Sequence, residues 1–208
     1  MRPFKIPDIA QRVFSDFTWH RARDQRNVFL TFDDGPVAGV TDFVLEALDK
    51  RRMKATFFMV GDNVSRSHDL ARQVGEAGHG IGNHTYHHLR GAKTSAARYL
   101  QDVENCREII REKTGARPTL FRPPYGSISC RQKNVLKKDY EIVLWDLISW
   151  DFVPGMSPNR SLRKLRETTR NGSIVLFHDQ EKSRHFLKSM LPGYLDYLAG
   201  SGYTTQLL

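Results

Sequence analysis

The chain has 208 residues, of which 39% are hydrophobic and 26% are charged. This composition excludes a disordered or fibrous protein, and the length suits one α/β domain with a sizeable core. The formal net charge of +9 favours anionic partners. However, the basic residues are scattered among acids and no nucleic-acid motif accompanies them, which argues against a nucleic-acid partner.

The N-terminal extension, residues 1–27, contains apolar residues at helical spacing from Ile9 to Phe17. We expect this segment to form a short amphipathic helix that packs on the catalytic domain, residues 28–208. Docking of the apolar face on an anionic membrane surface is the alternative interpretation, because the protein is basic. The sequence indicates no protein partner.

Two features of the sequence predict a cytoplasmic location. The N-terminus lacks the continuous apolar run of a secretory signal, and no segment reads as a membrane span. Cys106 and Cys130 have neither metal-type spacing nor a framework of bridges. They are therefore interpreted as free thiols in a reducing compartment.

After the extension, strand and helix patterns alternate to the C-terminus. Strand-like runs occur at 28–32, 55–60, 80–82, 119–121, 141–145, 173–177 and 203–207. Helical patterns lie between them at 41–50, 69–77, 94–115, 131–138, 162–170 and 186–198. This alternation with short connections predicts a mainly parallel sheet covered by helices, either doubly wound or closed into a barrel.

Reactive side chains follow the predicted strands at their carboxyl ends, where the loops of parallel α/β folds converge. Asp33 and Asp34 follow the first strand, His84 and His88 the third, Arg122 the fourth and Asp151 the fifth, and His178 ends the sixth. A random scatter of polar residues would not fall so regularly on one rim. We therefore expect these side chains to gather at one end of the sheet.

The adjacent carboxylates of Asp33 and Asp34 repel each other unless a cation separates them. His84 and His88 lie at i and i+4, which places both imidazoles on one face if the segment is helical. Together with Asp34 they would supply three ligands and leave positions for water and substrate, as in a catalytic zinc site. His87 is a rival ligand to His88, so the spacing alone leaves the ligand set open.

Four motifs resemble, in the same order, those of the polysaccharide deacetylases, also called carbohydrate esterase family four or the NodB-homology domain. They are Thr31-Phe32-Asp33-Asp34-Gly35-Pro36, His84-Thr85-x-x-His88, Arg122-Pro123-Pro124-Tyr125-Gly126 and Leu176-Phe177-His178. The resemblance spans Val28 to the C-terminus. It implies a distorted (β/α) barrel with about seven parallel strands, and a metal-dependent hydrolase that removes N-acetyl groups from an N-acetylhexosamine-containing glycan or glycan precursor.

Carried over residue by residue, the resemblance implies that Asp34, His84 and His88 hold a divalent metal. Zinc is the first expectation, with cobalt, nickel and manganese as alternatives. The resemblance also implies that Asp33 is the general base, which accepts a proton as water attacks the acetamide carbon. Arg122 would pair with Asp33 and keep it oriented and ionised.

The remaining roles are also implied by the resemblance. The backbone N–H of Tyr125 would donate to the oxyanion. His178 would be the general acid, and Asp151 would tune it. The residues expected to contact the sugar are Pro124, Tyr125, Phe152 and Leu176.

One motif departs from the family pattern. The family commonly shows Asp-x-x-Asp-Trp, whereas this chain has Ile148 in place of the first acid and Phe152 in place of the tryptophan. An aromatic wall for a sugar ring remains, but its shape changes. Two alternatives to glycan deacetylation therefore stay open: hydrolysis of another small amide, imide or O-acetyl ester, and a non-catalytic glycan-binding module.

Overall fold

The computed structural model of the protein describes residues 3–208. Its strands are Asn27–Asp33 (β1), Thr56–Met59 (β2), Gly80–Asn83 (β3), Leu120–Phe121 (β4), Glu141–Ile142 (β5), Leu147–Ile148 (β6), Ile174–His178 (β7) and Thr204–Thr205 (β8). They pair in the order β5-β4-β3-β2-β1-β7-β6, and β8 joins the beginning of β1. Every pairing is parallel, and the sheet curls into a half-barrel.

Helices cover the outside of the sheet. They are Asp8–Val13 (α1), Thr41–Asp49 (α2), Gly61–Arg66 (α3), His68–Glu76 (α4), Ala96–Thr114 (α5), Cys130–Leu136 (α6), Pro158–Thr168 (α7) and Arg184–Gly200 (α8). The ends follow local chemistry. For example, α5 stops at Gly115, which adopts the left-handed conformation at φ 74°. At the start of α6, the side chain of Ser129 accepts from the backbone of Gln132 and forms a capping box.

The central strand β1 sends alternate side chains to two different environments, as the pleat of a strand requires. Val28, Leu30 and Phe32 belong to the main core beneath the helices. Thr31 and Asp33 lie on the opposite face, where both contact a buried arginine inside the half-barrel. The last residue of β1 is therefore an acid delivered to the barrel interior at the carboxyl end of the strands.

The predicted fold class is confirmed: a single α/β domain with seven parallel strands in a distorted barrel. Three elements differ from the prediction. The strand predicted at 141–145 ends at Ile142, and a further strand, Leu147–Ile148, was missed because two residues carry no periodicity. Asp151 therefore follows β6, and His178 ends β7. Helix α3 was also missed, because this short polar segment buries only Gly61 and Val64.

The N-terminal extension runs along the opening between the two end strands of the half-barrel. Lys5 forms an antiparallel bridge to Leu147 beside β6, and Thr18 forms a parallel bridge to Val143 beside β5. The helix predicted to reach Phe17 ends at Val13. Its apolar residues do not all face the domain, since Ile9 is 68% exposed. Within residues 3–208, no helix is both long and apolar enough to cross a membrane.

Candidate active site

Asp33 and Arg122 form a buried ion pair at the carboxyl end of the sheet. Nη1 of Arg122 donates to Oδ1 of Asp33 at 2.6 Å and to Oγ1 of Thr31 at 2.8 Å. Its Nε and Nη2 donate to the carbonyl oxygens of Val143 and Leu144. Because the guanidinium is held on several sides, it fixes the orientation of the Asp33 carboxylate. Oδ2 of Asp33 lies 3.8 Å from Nε2 of His84.

Asp34, His84 and His88 converge next to this ion pair. Oδ1 of Asp34 lies 3.4 Å from Nε2 of His84 and 3.0 Å from Nε2 of His88. Asp34 occupies the left-handed region at φ 78°, a conformation that turns its side chain away from the strand direction of Asp33. Adjacent residues thus present two carboxylates to one cavity.

The imidazoles of His84 and His88 lie close together although the segment that carries them is not a helix. The i and i+4 spacing had predicted this proximity only for a helical segment. The backbone turns through left-handed conformations at Thr85, with φ 64°, and His88, with φ 54°. Nδ1 of His84 contacts the carbonyl oxygen of Arg122 at 2.6 Å, which leaves Nε2 directed at Asp34. His87 points elsewhere, with its Nδ1 2.5 Å from Oδ1 of Asp102. The structure therefore separates His88 from its rival.

The donor set fits a divalent metal. One ligand atom each from Asp34, His84 and His88 lies within 4.8 Å of the others, and no other such group occurs in the described part of the chain. Oδ1 of Asp34 is shielded from solvent and accepts no well-formed hydrogen bond in the described residues, although imidazole nitrogens of His84 and His88 lie within 3.4 Å; a cation shared by the three groups would satisfy it. Burial alone would raise the pKa of Asp34, but contacts with His84 and His88 bring it well below the usual value. Two imidazoles and one carboxylate suit zinc.

His178 and Asp151 form a second buried pair on the opposite side of the cavity. The carboxylate of Asp151 receives the backbone N–H of His178 at 2.7 Å and contacts its Nδ1 at 2.8 Å. Burial lowers the pKa of His178, but the carboxylates of Asp151, Asp34 and Asp33 outweigh it and raise that pKa to about 9. The imidazole is therefore protonated at neutral pH and can supply a proton from Nε2.

Asp33, Asp34, His84, His88 and His178 line one cavity of about 550 Å³ at the carboxyl ends of the strands, while Arg122 and Asp151 lie behind its wall. Its walls include the predicted sugar contacts Tyr125, Phe152 and Leu176. The ring of Tyr125 is 59% exposed, and its centroid lies 4.7 Å from that of His88. Pro124 is buried in the turn that carries Tyr125 and is not among the residues that line the cavity, so its contact with the sugar stays a prediction.

Several residues of the site carried no usable motif in the sequence. Asp179 is fully buried, accepts from the backbone N–H of Gly35 at 3.1 Å and receives the hydroxyl of Thr41 at 2.6 Å. Its own N–H donates to the carbonyl oxygen of Asp33. Asn63 donates to the carbonyl oxygen of Asp34 at 2.6 Å. The position of Asp179 directly after His178 was the one available signal.

Comparisons with known proteins agree with this arrangement. The family model described as polysaccharide deacetylase matches residues 20–141. The chain is 34% identical to a peptidoglycan-N-acetylglucosamine deacetylase of Bacillus cereus over 89% of this chain and 88% of that protein. It is 31% identical to the peptidoglycan-N-acetylmuramic acid deacetylase PdaC of Bacillus subtilis, where the match covers 75% of this chain but only 33% of the relative.

Solved structures give the same picture. The Bc1960 peptidoglycan N-acetylglucosamine deacetylase superposes with a TM-score of 0.84 and 28% identity, covering 93% of this chain and 91% of that one. A CE4 family pseudoenzyme, BA3943 from Bacillus anthracis, superposes with a TM-score of 0.81 at 22% identity, covering 90% of this chain and 65% of that one. The second likeness shows the fold alone.

Proposed function

The chain belongs to the polysaccharide deacetylase family, carbohydrate esterase family four, and from that premise we propose that it hydrolyses N-acetyl groups of N-acetylhexosamine residues in peptidoglycan, releasing acetate. The observation that carries this proposal is the convergence of Asp34, His84 and His88 beside the Asp33 carboxylate in one cavity. The relatives named as peptidoglycan deacetylases support this substrate.

The proposed reaction divides the work among the site's own side chains. Asp34, His84 and His88 would hold the divalent ion, with zinc as the first choice. When bound, the ion polarises the acetamide carbonyl and makes water more acidic. Asp33, oriented by Arg122, accepts the proton that water loses as its oxygen attacks the carbonyl carbon.

His178 completes the proposed reaction on the opposite side of the cavity. The C–N bond breaks, and the amine leaves with a proton donated by Nε2 of His178. Asp151 occupies Nδ1 and stabilises the charged imidazole beforehand. The backbone N–H of Tyr125 is the proposed donor to the oxyanion, at a residue that the loop holds at φ 61°.

Acetate release from purified peptidoglycan by the zinc-loaded protein tests the proposal. Asp33→Asn should abolish most of the release while the bound zinc stays stoichiometric, because Asp33 is not assigned as a ligand. Release of acetate at the wild-type rate by Asp33→Asn would refute the proposed base. An inactive wild-type protein with full metal content would refute the reaction.

A second candidate keeps the site but changes the substrate to another small amide, imide or O-acetyl ester. Ile148 favours it, because this apolar side chain lines the cavity where the family commonly has an acid. Turnover of simple amides or esters without turnover of any glycan would favour this candidate over peptidoglycan.

Location and membrane contact stay predictions of the sequence. Membrane contact gains support from Ile9, Val13 and Phe14, which are 68%, 67% and 55% exposed on and beside α1. Co-sedimentation with anionic vesicles should fall when these three residues are changed to serine, and unchanged pelleting would end the idea. Fractionation of cells that express the native chain checks the cytoplasmic prediction.

A further inference from the structure

A second cavity of about 470 Å³ adjoins the catalytic one. It lies between the loop that follows β6 and the beginning of α8, and Met156, Pro158 and His185 contribute to its walls. Two side chains, Phe152 and Lys182, line both cavities. The two spaces are therefore neighbours that share these two side chains as a common wall.

Lys182 lies in the 3-10 turn Glu181–Ser183, close after the proposed general acid. Its ammonium has no ion pair or hydrogen bond with any residue between 3 and 208. The acid next to it in sequence, Glu181, and the acid that lines the second cavity, Asp151, already have partners. Glu181 pairs with Arg184 at 2.6 Å, and Asp151 holds His178. The positive charge of Lys182 therefore lies, without a paired carboxylate, in the wall that the two cavities share.

The opposite side of the catalytic cavity has a similar charge. Arg90 lies over the ring of Tyr125 at 4.4 Å, and no carboxylate among the described residues pairs with it. Asp62, next to the lining residue Asn63, is paired with Arg66. The acids of the catalytic cavity itself are Asp33 and Asp34, so the remaining charge around its mouth is positive.

We propose that the second cavity is a subsite for the sugar next to the one that reacts, and that Lys182 binds a carboxylate carried by that part of the glycan. Phe152, which lies against both spaces, provides an aromatic face between the two sugars. The inference rests on the proposed glycan deacetylation and adds a specificity: an anionic strand is preferred over a neutral one. The carboxylate could belong to the sugar itself or to an attached peptide.

Steady-state acetate release from three substrates separates these sources. They are neutral N-acetylglucosamine oligomers, glycan strands stripped of peptide with an acid group on alternate sugars, and strands that retain their peptides. Lys182→Gln should raise KM for the anionic strands by roughly three- to fivefold, the range of an exposed ion pair. The change in KM for the neutral oligomers should be clearly smaller, and kcat should change less than KM does for the anionic strands. An effect on peptide-free strands assigns the carboxylate to the sugar, whereas an effect confined to peptide-bearing strands assigns it to the peptide.

The matched control is Lys188→Gln. Lys188 is an exposed lysine on α8 that lines neither cavity, so its loss should change no KM. Equal changes for neutral and anionic substrates in Lys182→Gln, or no change for any, would overturn the subsite. Binding of both anionic strands, with and without their peptides, to Asp33→Asn protein that carries or lacks Lys182→Gln tests the subsite even if the wild-type protein releases no acetate. Failure of the reaction is thereby distinguished from failure of the subsite.

Discussion

Two aspartates at opposite ends of the half-barrel, Asp146 and Asp34, have opposite surroundings. At the amino end of the strands, Asp146 accepts from Gln11 at 2.9 Å and from Ser173 at 2.8 Å, and it pairs with Arg23 and Arg170. At the carboxyl end, Asp34 is only partly buried, and its Oδ1 lies 3.0 Å from Nε2 of His88 without a well-formed hydrogen bond from any residue within 3–208. The protein's own donors satisfy Asp146. Asp34 receives no well-formed hydrogen bond from the described residues, as a residue that binds a cation would.

The backbone differs between the two ends in the same way. Of the six non-glycine residues with positive φ in the described chain, five lie on loops at the carboxyl rim: Asp34, Thr85, His88, Tyr125 and Trp150. Such conformations cost energy and persist where the surroundings enforce them, often at functional sites. The difference teaches that a buried charge alone does not mark a site. A carboxylate that lacks a well-formed hydrogen bond and stands on strained backbone does indicate a functional site.

The largest expected effect separates the base from the metal site. Asp33→Asn should lower kcat about 10²- to 10⁴-fold, because general-base catalysis contributes that much. Zinc content should be unchanged. The variant also breaks the buried pair with Arg122, so thermal unfolding should be measured alongside kinetics. A rate near that of the wild type in folded, metal-loaded protein would remove Asp33 from the reaction.

The next largest effect is expected for Asp146, at the amino end of the strands, and should change the free energy of unfolding rather than kcat. Asp146→Asn leaves Arg23 and Arg170 without their shared carboxylate, and breaking a buried ion pair costs about 3 kcal/mol. Denaturant unfolding measures this loss, while kcat per folded molecule should not change. A large fall in kcat per folded molecule would contradict the proposal that the amino end stabilises the fold and the carboxyl end carries the reaction.

The lowered pKa of Asp146 predicts how the free energy of unfolding depends on pH. Burial would raise the pKa of Asp146, but hydrogen bonds from Gln11, Arg170 and Ser173 outweigh it and lower that pKa below the usual value of an aspartate. Its contribution is therefore present above the unfolded pKa and is lost as the pH falls through the folded one. Asp146→Asn should consequently narrow the difference in unfolding free energy between neutral and strongly acidic pH.

A smaller effect concerns the proposed general acid. With its pKa near 9, His178 should remain protonated through neutral pH, and the rate should fall as the pH rises past that value. Asp151→Asn removes the charge that holds this pKa up, so the alkaline limb of the pH–rate profile should move to lower pH. An unmoved limb would show that another group sets it.

The motifs made the chemistry of the rim predictable, because Asp33, Asp34 and His178 stand next to strands that periodicity can identify. The short strand Leu147–Ile148 was not predictable, since pairing with β7 rather than any local pattern makes it a strand. The sequence also could not decide whether His87 or His88 joins His84 as a ligand. It is decided by Asp102, fifteen residues away along the chain.

Long-range polar contacts explain the other omissions. Asp179 reads as an ordinary acid until Gly35 and Thr41 are seen to bond it across more than a hundred residues. The extension beside β5 and β6 likewise depends on backbone bridges at Lys5 and Thr18, which no apolar pattern encodes. Sequence motifs therefore identified the side chains that converge in the cavity, while tertiary contacts decided how those side chains are held.

Zinc binding by two neighbouring histidine variants tests the central claim most directly. His84→Ala removes a proposed ligand, and His87→Ala removes the imidazole that pairs with Asp102 instead. Equilibrium titration should give one zinc per chain for the wild-type protein and His87→Ala. The affinity of His84→Ala should fall by more than the roughly 10- to 100-fold typical of losing an outer-shell partner. Equal zinc affinity in all three proteins would contradict the assignment of Asp34, His84 and His88 as a metal site.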